Sequence, residues 1–301
     1  MFEKFDDFRI QVGDVTVAGK VSHEGRTQRP PLLLLHGHPE NHMMWNKVAD
    51  CLADSYTVIA PDLRGYGATS RPETDADHSP YSKRAMATDQ ILLMKHFGEA
   101  MGFESFAVCA HDRGARVAHR LMVDYPAAVS RAVLMDIAPT LDMYDGTTQQ
   151  FAQSYFHWFF LTQPAPLPES LISANPRGYI ENLMGGRHAG LAPFGEEALE
   201  SYIQSLSQPG AVHSMCEDYR ASAGIDLDHE RADREAGRKI TTPLRVLWGE
   251  YGVVGRLFDP LRLWKSVATD VSGRALPAGH YLPEEVPDAI YNEILDFIPA
   301  T

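Results

Sequence analysis

The stretch that runs FAVCAH (106–111), GARVAHRLMVDYP (114–126) and RAVLMD (131–136) constrains the fold most: apolar run, helix-spaced segment, apolar run. Short apolar runs without polar alternation are the pattern of strands buried on both faces, and parallel neighbours need a crossover long enough to hold a helix. The pattern extends upstream. PLLLLHG (31–37) and YTVIAPDLRGYG (56–67) are apolar runs broken by glycine and proline, and KRAMATDQILLMKHFGEAMG (83–102) has helical spacing and stops at glycine. The alternation predicts an α/β fold: a mostly parallel central sheet flanked by helices, with right-handed crossovers.

After Pro139 the alternation stops. Aromatic-rich, proline-punctuated segments follow, FAQSYFHWFFLTQPAPLPESL (151–171), PRGYIENLMGG (176–186), EEALESYIQSLSQ (196–208) and VHSMCEDYRAS (212–222), and read as short helices. The strand pattern returns at LRVLWG (244–249), with LRLWKSVATD (261–270) as a crossover helix, GRALPAGHYLPEE (273–285) as a last strand and loop, and PDAIYNEILDFI (287–298) as a closing helix. The expected organisation is a core in two parts, 1–138 and 227–301, with a helical cap inserted at 139–226. Such an insertion at the strand ends sits over the place where α/β sheets bind ligands.

The net charge of −13 repels phosphate backbones and excludes a nucleic-acid partner in the absence of a basic patch. MFEKFDDFRI lacks the basic-then-apolar order of a secretory signal, and no uncharged apolar run approaches bilayer length, so a soluble, cytoplasmic protein without membrane association is expected. Cys51, Cys109 and Cys216 offer neither a disulfide framework nor zinc spacing and read as buried thiols in a reducing compartment.

In AHDRG (110–114), small residues stand two positions either side of Asp112. That is the steric requirement of a nucleophile elbow, a tight strand-to-helix turn presenting one side chain at the end of a sheet. HGHP follows the first apolar run as an oxyanion loop does, and the backbone N–H groups of His38 and Arg113 would hold a developing negative charge. Asp136 ends the strand after the elbow helix, and His280 lies just past the last strand. The chain order is nucleophile, acid, histidine. WGEYG (248–252) has glycine about where many such chains carry the orienting acid, which assigns that role to Asp136, with Glu250 the poorer substitute.

A carboxylate, ionised at neutral pH, displaces a leaving group from saturated carbon without a base. Arg113 and Arg116, three apart at a helix start, project to a common side and would anchor a substrate carboxylate. Each residue has a bland explanation: a helix-cap aspartate, surface arginines, a packed aromatic core in YFHWFF. The joint order of Asp112, Asp136 and His280 does not. His36, His38 and His42 share a tight loop that does not converge them, and no carboxylate or cysteine cluster completes a ligand set, so no metal and no cofactor is expected.

From LLLLHGHP through AHDRGARV, LMDIAPT, YFHWFFLTQPAPLPE, MCEDYRA and AGHYLPEE, the chain resembles the α/β-hydrolase fluoroacetate dehalogenases over nearly its whole length. The resemblance implies an α/β-hydrolase fold with a helical cap and hydrolysis of a short 2-haloacid through an aspartyl ester. It further implies Asp112 as nucleophile with Asp136 and His280 completing the triad, Arg113 and Arg116 on the substrate carboxylate, His157, Trp158 and Tyr219 on the halide, water as co-substrate, and a homodimer. Adjacent helical residues point about 100° apart, so His157 and Trp158 share a ligand only if it lies between their directions. The family's usual HGFP is here HGHP, which keeps the backbone donor and changes pocket size and polarity at His38. An epoxide hydrolase is the rival: Tyr155, Tyr202 and Tyr219 would supply protons to the opening oxygen, but a neutral epoxide leaves paired arginines uncompensated. A non-catalytic small-acid binder is the remaining alternative, and the complete triad speaks against it.

Overall fold

The computed structural model describes residues 1–23 and 29–300. Strands β1 (Phe5–Val12), β2 (Val15–Ser22), β3 (Pro31–Leu35), β4 (Thr57–Pro61), β5 (Phe106–His111), β6 (Val129–Met135), β7 (Leu244–Gly249) and β8 (Val271–Leu276) form one sheet. Its order is β1-β2-β4-β3-β5-β6-β7-β8. From β4 to β8 all neighbours are parallel, whereas β1 and β2 form an antiparallel edge.

The leucine run shows why the central strands carry no polar alternation. Leu32 and Leu34 enter one hydrophobic core, Leu33 and Leu35 the other, and all four are fully buried. Val133 and Met135 of β6 likewise face the first core, Ala132 and Leu134 the second. Side chains on a strand alternate between faces, so a strand covered on both sides must be apolar throughout. The reading above places no strand before residue 31. FDDFRIQV alternates between exposed and buried positions because β1 is an edge strand with one face in water.

The helix Lys83–Met101 starts where the Ser82 hydroxyl accepts from Ala85 N–H, and it stops at Gly102 in the left-handed region, φ 79°. The helix Asp112–Asp124 follows β5 with no intervening loop. Between β6 and β7 the chain is helical: Thr140–Asp145, Gln149–Ser154, Phe156–Phe160, Leu167–Ser173, Pro176–Gly185, Glu196–Leu206, Ala211–Ala223 and Ile225–Glu235. Phe151, Trp158, Met184 and Tyr219 from this block share one core with Leu34 and Met135 of the sheet, which packs the block against the strands.

Two of the three cysteines, Cys109 and Cys216, are buried, but Cys51 is exposed, contrary to expectation. It lies in the short helix Ala49–Leu52, whose Ala49 and Leu52 take the inward positions. Among the described residues no helix is long and apolar enough to cross a membrane.

Candidate active site

β5 passes directly into its helix at Asp112, whose φ of 41° lies in the left-handed region that costs a non-glycine residue free energy. The turn is that tight because the helix start presses on the β3 loop. Gly114 N–H donates to His36 O at 2.9 Å, and a Cβ on Gly114 would lie 2.5 Å from that oxygen. His38 N–H donates to Asp112 Oδ2 at 3.1 Å. Burial alone would raise the Asp112 carboxyl, but electrostatic interactions with His280, His111, Arg116 and Arg113 outweigh it and hold the group well below the usual carboxylate range. Asp112 is a buried anion.

Asp136 is the first residue after β6 and also has a positive φ, 50°. Its Oδ2 lies 2.6 Å from His280 Nδ1, and its Oδ1 accepts from Gly249 N–H at 3.0 Å. Gly252 of the WGEYG turn packs against it: a Cβ there would sit 3.2 Å from Asp136 Oδ1. Glu250 is exposed to solvent instead. The carboxylate can only accept, so His280 Nδ1 carries its hydrogen and the Nε2 lone pair is left to take a proton. Burial pulls His280 below the ordinary imidazole range, partly offset by the Asp136 hydrogen bond, so the ring is neutral at neutral pH.

His111, not singled out in the sequence, donates from Nε2 to His280 O at 2.8 Å and faces Glu40 Oε2 at 3.4 Å from Nδ1. Glu40 is buried beside Glu284, and burial raises both carboxyls, so the pair holds protons that isolated carboxyls would release. Tyr202 hydroxyl donates to Glu284 Oε1 at 3.0 Å, which removes it from the tyrosines expected to serve an epoxide.

The two arginines differ. Arg113 donates from Nε and Nη2 to both carboxylate oxygens of Asp218, at 2.8 and 2.7 Å, and from Nη2 to Ser222 Oγ at 2.6 Å. Asp218 also holds Lys83 Nζ and accepts from Tyr66 at 2.8 Å. Arg116, equally buried, has no carboxylate partner among the described residues: it donates to Thr140 Oγ1 at 3.0 Å, to Ala138 O at 3.3 Å and to Met143 Sδ at 3.3 Å, and its Nε has no partner. Sequence reasoning treated the pair as equivalent and missed Asp218, although it sits beside Tyr219 in MCEDYRA.

The inserted helices bring their aromatic residues to these arginines. Arg113 Cζ stacks 4.1 Å from the Tyr219 ring centroid and Arg116 Cζ 4.7 Å from that of Trp158. The His157 ring lies 5.8 Å from Tyr219 and stacks on His38 at 5.7 Å with an 8° interplanar angle. His157 Nδ1, Trp158 Nε1 and the hydroxyls of Tyr219 and Tyr155 are all buried without a hydrogen-bond partner. Burial lowers His38 to about 3, so its ring is neutral, with Nε2 3.3 Å from Tyr179 Oη and Nδ1 unpartnered. His36 and His42 turn elsewhere, to the backbone of Leu63 and to Asp62, and the three loop histidines diverge.

A family model described as the alpha/beta hydrolase fold matches residues 30–174. The fluoroacetate dehalogenase of Burkholderia sp is 40% identical over 299 residues, spanning 99% of this chain and 95% of its own. The soluble epoxide hydrolase of Corynebacterium sp. (strain C12) is 33% identical over 271 residues, 89% of each chain. Among solved structures, ALR0039 of Nostoc sp PCC 7120, provisionally described as an α/β hydrolase, has a TM-score of 0.93 and 47% identity over 99% of both chains. With the sheet, the elbow at Asp112 and full-length relatives in agreement, the chain belongs to the α/β-hydrolase family of enzymes.

Proposed function

We propose that the enzyme hydrolyses short 2-haloacids, fluoroacetate or another haloacetate among them, to the 2-hydroxyacid and halide. The observation that carries the reading is the set of sealed, unpartnered polar atoms, His157 Nδ1, Trp158 Nε1 and Tyr219 Oη, each able to donate, beside an anionic Asp112 and an Arg116 with no ion-paired carboxylate among the described residues. Donors buried without acceptors are costly, and a departing halide is an acceptor that needs several of them.

In the displacement, an Asp112 oxygen forms a bond to C2 while the carbon–halogen bond breaks and its electron pair leaves with the halide toward those three donors. Arg116, with the remaining Nη1 of Arg113, holds the substrate carboxylate. In the second half, water adds to Asp112 Cγ, His280 Nε2 takes its proton, and His38 N–H stabilises the oxyanion at Asp112. The intermediate collapses, the 2-hydroxyacid leaves with the proton returned from His280, and Asp112 keeps an oxygen from water. Residues 139–226 act as the cap that excludes bulk water from the first step.

The test is halide release from fluoroacetate and chloroacetate by wild type and Asp112→Asn, with a single turnover in H₂¹⁸O. Release abolished in the variant, with label in the Asp112 carboxylate, is the expected result. No halide from either acid, nor from a longer 2-haloacid, overturns the reading. The unpartnered Tyr155 and Tyr219 hydroxyls favour a second reading, ring opening of an epoxide by Asp112, and diol formation from a terminal epoxide without halide release would put it first.

A further inference from the structure

Arg187 is a third arginine at this site, stacked on Tyr155 where Arg113 and Arg116 stack on Tyr219 and Trp158. It follows the helix Pro176–Gly185 and is half-buried between exposed Gly186 and His188, so it stands where the site meets the surface. Its guanidinium turns inward, with Cζ 4.7 Å from the Tyr155 ring centroid, and Nη1 donates to Ser154 O at 3.3 Å. Nε is buried with no partner, and among the described residues no carboxylate is within ion-pair distance. Tyr155 in turn lies 5.3 Å from His157 and 6.2 Å from His280, ring to ring. Arg116 lies instead among Ala138, Thr140, Met143 and Trp158.

A guanidinium withdrawn from water without a counter-charge is costly, and in a chain of net charge −13 it is not there for want of acidic residues. Arg113 obtained its aspartate within the protein. The Arg116 and Arg187 guanidiniums did not, and the reacting carboxylate of Asp112 exchanges charge interactions with both. A substrate with one carboxylate satisfies Arg116 and leaves Arg187 unpaired.

Resting on the dehalogenase reading, we propose that Arg187 is a specificity-determining residue that pairs with a second carboxylate, so that the preferred substrates are 2-halodicarboxylates. The C1 carboxylate meets Arg116, C2 faces Asp112, and the distal carboxylate meets Arg187 at the mouth, where it stays partly hydrated. The displacement is unchanged: the bond from C2 to halogen breaks as the bond from Asp112 oxygen to C2 forms.

The experiment is halide release by the full chain from 2-chlorosuccinate, from 2-chlorobutyrate as a chain-length match without the second charge, and from chloroacetate. Wild type is expected to favour 2-chlorosuccinate over 2-chlorobutyrate by about tenfold or more in kcat/KM, chiefly through KM. Arg187→Met should lower the ratio of kcat/KM for 2-chlorosuccinate to that for 2-chlorobutyrate by about tenfold, and Arg187→Lys should retain part of it. A wild type that does not distinguish the two four-carbon acids, or an Arg187→Met ratio equal to that of wild type, overturns the proposal while chloroacetate turnover leaves the dehalogenase reading standing. Failure of all three acids to release chloride overturns the dehalogenase reading itself.

Discussion

Arg113 and Asp218 form a buried two-point ion pair, Nε to Oδ2 at 2.8 Å and Nη2 to Oδ1 at 2.7 Å, joining the helix start beside Asp112 to the helix Ala211–Ala223. The pair distinguishes two arginines that the sequence reading treated alike. Arg113 is spent largely inside the protein, where it also stacks on the neighbouring Tyr219, and Arg116 has no carboxylate partner among the described residues.

Asp218→Ala leaves Arg113 and Lys83 buried without their carboxylate and should cost about 3–5 kcal/mol in urea unfolding. Burial alone would raise Asp218, but Arg113 and Lys83 hold it below the usual range. A depressed carboxyl stabilises the fold above its unfolded pKa, near 3.9, and loses that contribution as pH falls through the folded value. The acid limb of wild-type stability should therefore be steeper than that of the variant.

Arg116→Met removes the free guanidinium. Under the proposed chemistry, KM for haloacetate should rise about 30-fold or more with a smaller change in kcat, and Arg116→Lys should recover only part of the loss because an ammonium lacks the planar fork. Steady-state halide release separates the two constants.

Trp158→Phe keeps the packing of the inserted helices and deletes one indole N–H. The loss should be larger for fluoride than for chloride, about 10²-fold against about tenfold in kcat, because the poorer leaving group depends more on donors that meet it as it departs. Equal losses on fluoroacetate and chloroacetate would remove Trp158 from the halide site.

Under the proposed chemistry, His280→Gln should release one equivalent of halide per site and stop, with the carboxymethyl group of a haloacetate found as an ester on Asp112 by mass spectrometry. Wild-type turnover should have an acid limb below the ordinary imidazole pKa of about 6.5, since burial pulls His280 down and the base works only when neutral. Asp136 raises His280, so Asp136→Asn should move that limb to still lower pH while cutting kcat by up to about 10⁴.

Glu40 and Glu284 make the opposite pH prediction. Burial raises both carboxyls, so the folded state holds protons that the unfolded chain releases near pH 4.3. Their contribution is complete below that value and declines as pH rises through the folded pKa values. Thermal unfolding of wild type should fall between about pH 5 and pH 9, and Glu40→Gln should flatten the decline.

Features legible in the sequence were local ones. A strand covered on both faces must be apolar at every position, so Leu32 to Leu35 and the β5 and β6 runs declared the parallel sheet within a few residues each. The elbow was legible for the same reason: Ala110 and Gly114 stand two positions from Asp112, and the tight turn demands small residues there. The edge strand β1 was not, because Asp6 interrupts the alternation on the side of Phe8, Ile10 and Val12.

What only the tertiary structure decided were pairings between distant segments. Arg113 and Asp218 are 105 positions apart, Asp136 and His280 144, and Arg187 meets Tyr155 across three helices. Nothing local distinguishes an arginine that will find a buried aspartate from one that will not. By itself, the sequence determined which side chains stand at the strand ends. Packing decided which charges are neutralised within the protein, because charge balance in a low-dielectric interior depends on the neighbours brought by every element at once.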